Sequence, residues 1–181
     1  RPMRDEAANG AGTSNTLADV AQYYYVTDLR NASEGNCTGA IANQDVCEDI
    51  VPTDAKDDNK AQHMTTFTLG LGLNGTLTYD KDYETKGSGD YHDIKQGNKI
   101  WPEPVADTLT AVDDLWHATL NGRGKMYLAD SPTETALRIQ AALSDIASQT
   151  GAQGGVAVSS VNLSRGDNRA YFGTYDPAGW K

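Results

Sequence analysis

The chain has 181 residues, a formal net charge of −10 and 38% hydrophobic residues. So acidic a balance excludes nucleic acid and anionic membrane surfaces as natural partners, and no apolar run reaches the roughly 20 residues needed for membrane insertion. A chain this long buries about 70% of its unfolded surface, enough for one domain with at most a small appendage.

The opening segment RPMRDEAANGAGTSN is polar and aperiodic, with no basic n-region and no apolar h-region, so a fragment of a longer, exported protein is expected. Residues 15–30 read as the first helix: Thr16 and Asp19 can cap it, and Leu17, Val20, Ala21, Tyr24 and Leu29 form an apolar stripe. A long polar insertion, 31–61, follows and carries both cysteines, Cys37 and Cys47, ten positions apart. Two exposed loop cysteines this close fit a disulfide in an oxidising compartment better than two free thiols. Closing that ring restrains the unfolded chain by roughly 2.5–3 kcal/mol on the chain-entropy model.

Residues 63–73 alternate, with Phe67, Leu69, Leu71 and Leu73 on one side and Thr66, Thr68, Gly70 and Gly72 on the other, which predicts a strand. Asn74-Gly75 is a hairpin signal, with TLTYD (76–80) as the return strand. Gly70, Gly72 and Gly75 also match the dinucleotide fingerprint, but that chemistry needs a helix after the third glycine, and β-prone residues follow instead. Residues 80–106 read as a polar loop. A helix is expected over 107–120, with Leu109, Val112, Trp116 and Leu120 on one face and Asn121-Gly122 as its stop. Residues 125–129 form a short strand. Ser131, Pro132 and Glu134 then supply a cap, a first-turn proline and a capping-box acid for a helix over 132–147, with Ala136, Ile139, Leu143 and Ile146 on one face. A glycine-rich hinge, 151–155, leads to two strands, 156–163 and 169–175. This succession calls for a parallel or mixed sheet, an α/β class.

Catalytic chemistry finds no foothold. His63, His92 and His117 lack metal spacing, Asp90-Tyr91-His92-Asp93 reads as a solvated loop without a nucleophile elbow, and His117 reads as a surface or capping-region residue. No metal or cofactor is expected: Asp54, Asp57, Asp58 and Asn59, with Asp80 and Asp82, offer oxygens to Ca²⁺ but do not fit the EF-hand loop. Arg165-Gly166-Asp167 is the integrin-recognition tripeptide, placed between the last two strands, although a motif so short also arises by chance and suits an ordinary turn.

Four long stretches, 16–30, 61–80, 90–129 and 170–181, together resemble the PilC/PilY-type adhesins of bacterial type IV pili, in the family's order. The resemblance implies the second half of a von Willebrand factor A-like domain over 1–150, with 31–61 as its insertion, and over 151–181 a hinge and β segment leading to a β-propeller. It further implies export through the periplasm to the pilus tip, a role in pilus biogenesis, attachment and surface sensing, and no enzymatic activity. The implied partners are the remainder of the same protein, upstream and downstream, the minor pilins, and a host receptor. The alternative reading is an integrin-binding module acting through Arg165, Gly166 and Asp167. The metal site of such A domains uses a D-x-S-x-S loop, absent from this sequence, so no metal ligand is carried over to any residue.

Overall fold

A computed structural model describes residues 2–5, 12–39, 45–72, 74–129, 131–149, 156–158 and 170–172. They fall into two compact units, 1–142 and 143–181. The helices are α1 (Leu17–Val26), α2 (Asp90–Gln96), α3 (Thr110–Asn121) and α4 (Pro132–Gln149), and the strands β1 (Thr66–Leu71), β2 (Arg123–Ala129), β3 (Val156–Val158) and β4 (Ala170–Phe172).

In the first unit β1 and β2 pair in parallel, with Thr68 opposite Met126 and Leu71 opposite Ala129. The expected hairpin is therefore corrected: Thr76–Asp80 forms loop, and the strand that pairs with β1 is β2, reached through α3. No helix follows Gly75 directly, so the glycine fingerprint has no amide cluster for a pyrophosphate. Gly124 permits the close pairing at the start of β2, because a Cβ there would overlap the Thr66 carbonyl.

Helix α3 is the centre of the unit, with eight of its residues buried. The side of β1 that packs on it is the small, polar one: Thr68 Oγ1 lies 2.7 Å from Thr119 Oγ1. By strand alternation Phe67, Leu69 and Leu71 face the other way, and Leu71 is 56% exposed. Thus the apolar side of β1 stands away from α3, and the small, polar side lies against the helix.

Helix α1 is shorter than expected and meets α3 through Ala18 and Ala21, with Ala118 opposite. Its start is fixed by a capping box between Thr16 and Asp19. Asp114 of α3 accepts hydrogen bonds from the Leu17 N–H at 2.8 Å and the Ala18 N–H at 3.2 Å. The stripe of Leu17, Val20 and Tyr24 is present but exposed. The small residues won the contact because two helix backbones come closest over alanine.

The segment 80–106, expected as loop, contains α2, which ends in a left-handed glycine, Gly97. Tyr83, Ile94 and Trp101 from this segment, and Leu77 just ahead of it, form one cluster with Val112, Trp116, Leu120 and Met126. Trp116 lies inside a ring of aromatics, with centroids at 5.3 Å to Tyr79, 5.2 Å to Tyr83 and 5.5 Å to Trp101. His117 is corrected too: it is 5% exposed, stacked on Trp101 at 4.7 Å, and burial pushes its pKa down. Helix α3 begins at Thr110, and Leu109 is an exposed cap.

The Ser131 hydroxyl accepts from the Glu134 N–H at 3.2 Å, as the sequence pattern requires, while Glu134 itself pairs with Arg138. Ala136 and Ile139, expected to pack on the sheet, are exposed. In the second unit β3 and β4 pair antiparallel, Val156 with Phe172; the rest of the expected strands 156–163 and 169–175 lies outside the described residues. The hinge 151–155 and the turn 164–168 lie outside the described residues.

One buried carboxylate holds the long connection after β1. Asp113 of α3 accepts from the Thr76 N–H at 2.9 Å, the Thr76 hydroxyl, and the Leu77 N–H at 3.0 Å. A Cβ at Gly75 would overlap Asp113 Oδ1. Gly75→Ala is therefore expected to destabilise the fold by at least ~2 kcal/mol, through overlap and partial loss of those bonds, in urea unfolding. A change below about 0.5 kcal/mol would contradict this account of Gly75.

Candidate functional site

Three features of the first unit stand out. The first is the pair of sheet edges. The Thr66 N–H donates to Gly122 O at 3.0 Å and the Gly72 N–H to Ala129 O at 2.8 Å. Even-numbered residues of β1 thus turn their backbone groups toward β2, and odd-numbered Phe67, Leu69 and Leu71 turn theirs outward. The outward carbonyls of β2 are those of Met126 and Leu128. Tyr79 Oη donates to the first at 2.5 Å and Arg138 Nε to the second at 3.0 Å. Side chains thus take both of these outward carbonyls of β2. Among the described residues, the outward backbone groups of β1 meet no partner. An edge left in that state is a template for another strand.

The second feature is a polar latch. His63 Nε2 lies 2.7 Å from Asp57 Oδ2, and His63 Nδ1 lies 2.7 Å from Ala61 O. The Tyr25 hydroxyl donates to Asp57 Oδ1 at 3.1 Å, and burial, followed by the bond to Asp57, pushes its pKa up. The Arg123 guanidinium sits over the Tyr25 ring at 4.1 Å. Both Asp57 oxygens and both imidazole nitrogens are engaged, so the cluster ties the insertion to α1 and leaves no free base. The insertion is also closed on itself: Cys37 and Cys47 form a disulfide with a Cα–Cα distance of 5.0 Å, beside a Thr38–Asp45 bridge.

The third is a cleft of about 280 Å³ lined in part by Met3, Lys56, Glu84, Tyr91, Lys95 and Arg123. No sequence motif marks it, since its residues come from five separate stretches. The only local signal is the abrupt end of α3, where Arg123 takes a left-handed φ of 59° and Gly122, the expected left-handed stop, has φ −87°.

The acidic runs do not gather. Asp54 Oδ1 accepts from the Lys56 and Asp57 amides, and Asp80 pairs with Lys86. Among the described residues, one group brings at least three His, Cys, Asp or Glu ligand atoms together: Cys37, Asp45 and Cys47, whose sulfurs are bonded to each other. His92 lies on α2, 3.6 Å from Asp93, and pairs with no nucleophile among the described residues. Arg165, Gly166 and Asp167 lie outside the described residues. Among the described residues no helix is long and apolar enough to cross a membrane.

Similar curated proteins include the type IV pilus biogenesis factor PilY1 of Pseudomonas aeruginosa PAO1, 37% identical over 147 residues, covering 80% of this chain and 12% of the relative. PilY1 of strain PAK matches at the same identity and coverage. That of strain UCBPP-PA14 is 35% identical over 136 residues, 73% of this chain. The chain spans only 12% of the length of these relatives. No protein-family model matches it. No solved structure matches it either.

Tyr79, the residue that closes the β2 edge, offers a pH test. Burial, above all, pushes its pKa up to about 12, with Glu84, Asp80 and Asp82 adding to the shift and Arg138 opposing it. The folded state therefore keeps a proton that the unfolded chain loses above about pH 10. Its contribution to stability is complete below about pH 10 and is lost as the pH climbs through 12. In an ultraviolet titration, Tyr79→Phe is expected to remove one phenol from the step near pH 12. Removal of one from a step near pH 10 instead would contradict this placement.

Proposed function

The chain belongs to the PilC/PilY family of type IV pilus proteins, and from that premise we propose that it is a non-catalytic structural segment of a pilus biogenesis factor. In this reading residues 1–150 are the second half of a von Willebrand factor A-like domain, and 151–181 lead into a β-propeller. The protein is exported to the cell surface, where it acts at the pilus tip in assembly, attachment and sensing. Its first partners are the rest of its own polypeptide and the minor pilins.

The observation that carries the reading is the uneven finish of the parallel sheet. Parallel sheets are covered on both faces and rarely stop at two strands. Here β2 is closed at its edge, with Tyr127 and Ala129 buried. By contrast β1 is open at its edge and at Leu71, and α1 beside it exposes Leu17, Val20 and Tyr24. An A-like sheet continuing past β1 and under α1 would cover all of these together. The engaged latch, whose aspartate and histidine have no free acceptor, supports a structural role over a catalytic one. Receptor binding through Arg165-Gly166-Asp167 is a separate proposal resting on the sequence motif alone.

Residue-resolved amide exchange, in the isolated chain and in the full-length protein, tests the reading. In the isolated chain Thr68 and Gly70 are expected to be protected, while Phe67, Leu69 and Leu71 exchange freely. In the full-length protein all five are expected to slow, the odd-numbered ones by at least about a hundredfold. Odd-numbered amides that exchange equally fast in both would contradict a sheet that continues past β1.

A further inference from the structure

The cationic cleft is not used by the structural reading above and does not depend on it. We propose that it binds a small organic anion, one whose carboxylate or phosphate group is held between Arg123 and Lys95 while its body rests on Tyr91 and Met3. In a chain of net charge −10, this recess is lined by three cations and one acid, Lys56, Lys95, Arg123 and Glu84. The acid is already spent on one of them: both Glu84 oxygens lie 2.6 Å from Lys56 Nζ. Two cations are left for a ligand.

Arg123 is held as a receptor for an anion would be. Its Nη1 donates to Leu120 O at 3.2 Å and Asn121 O at 3.0 Å, and its plane lies over the Tyr25 ring. Those contacts fix the guanidinium, yet they engage only one of its three nitrogens. The remaining donors of the fork match a carboxylate or phosphate edge. Its left-handed backbone, φ 59°, is a strained state for a residue with a side chain, and such strain collects at ligand clamps. Lys95, exposed on α2, lines the same recess and meets no ion-pair or hydrogen-bond partner among the described residues. It supplies a second, mobile point charge to the recess of the fixed fork.

A recess of about 280 Å³ gives room for a monosaccharide-sized anion, such as an acidic monosaccharide or a sugar phosphate. The Tyr91 and Met3 side chains suit the apolar face of a sugar ring, while Arg123 and Lys95 take its charge.

Calorimetric titration of the intact protein with N-acetylneuraminate, glucuronate and glucose 6-phosphate, and with glucose as an uncharged control, tests this. At least one anion is expected to bind saturably at one site, and glucose not at all. A carboxylate-only response assigns acidic sugars as the ligand, and a phosphate-only response assigns sugar phosphates. Lys95→Gln is expected to weaken binding about tenfold. Glu84→Gln, which frees Lys56, is expected to strengthen it about threefold, a gain that a merely structural role would not produce. Absence of saturation by all three anions up to about 10 mM, equal binding of glucose, or affinities unmoved by both substitutions would overturn the proposal.

Discussion

The buried carboxylate of Asp113 is the constraint from which the rest of the first unit follows. By taking the Thr76 and Leu77 amides and the Thr76 hydroxyl, it pins the connection after β1 to the outer side of α3. Only glycine at position 75 allows that approach. Once pinned, the connection delivers Leu77, Tyr79 and Tyr83 to the Trp116 cluster, where burial of each large side chain contributes about 1.5–3 kcal/mol. Tyr79 then has one place for its hydroxyl, the Met126 carbonyl. A helix residue thereby decides which edge of the sheet is finished.

The two ends of the sheet consequently differ in kind. Beyond β2 side chains take the carbonyls of Met126 and Leu128, and beyond β1 the outward backbone groups meet no partner among the described residues, beside an exposed Leu71 and an exposed helix stripe. The insertion 31–61 sits on the same body by different means. Its disulfide limits the chain locally, and the Asp57 latch joins it to Tyr25 of α1 and His63 ahead of β1. This helps a loop of such polarity keep one position without an apolar core of its own. The same Tyr25 ring orients Arg123, so latch and cleft share a wall.

Much of this was legible in the residues, and the failures have physical causes. The capping signals around Thr16 and Ser131 and the β1 to α3 to β2 order were readable, because they rest on local hydrogen bonding and periodicity. The α1 stripe was also read correctly as apolar, yet it is exposed, since periodicity reveals a face but not its cover. The alternation on β1 separated a threonine and glycine side from an apolar one without telling which meets the helix. The threonine side does, with Thr68 hydrogen-bonded to Thr119 of α3. Asn74-Gly75 looked like a hairpin because the carboxylate that needs the glycine is far away in sequence, at position 113. Helix α2 escaped notice because its seven residues are polar and bury only Ile94. The cleft had no sequence motif: its charges converge only after folding.

The central claim is that the sheet is finished at β2 and continues from β1. An experimental structure of the full-length protein tests it most directly. The account predicts a strand hydrogen-bonded to the outward groups of Phe67, Leu69 and Leu71, with Leu17, Val20 and Tyr24 of α1 packed above it. A strand added outside Met126 and Leu128, or a β1 edge still open to solvent, would contradict it.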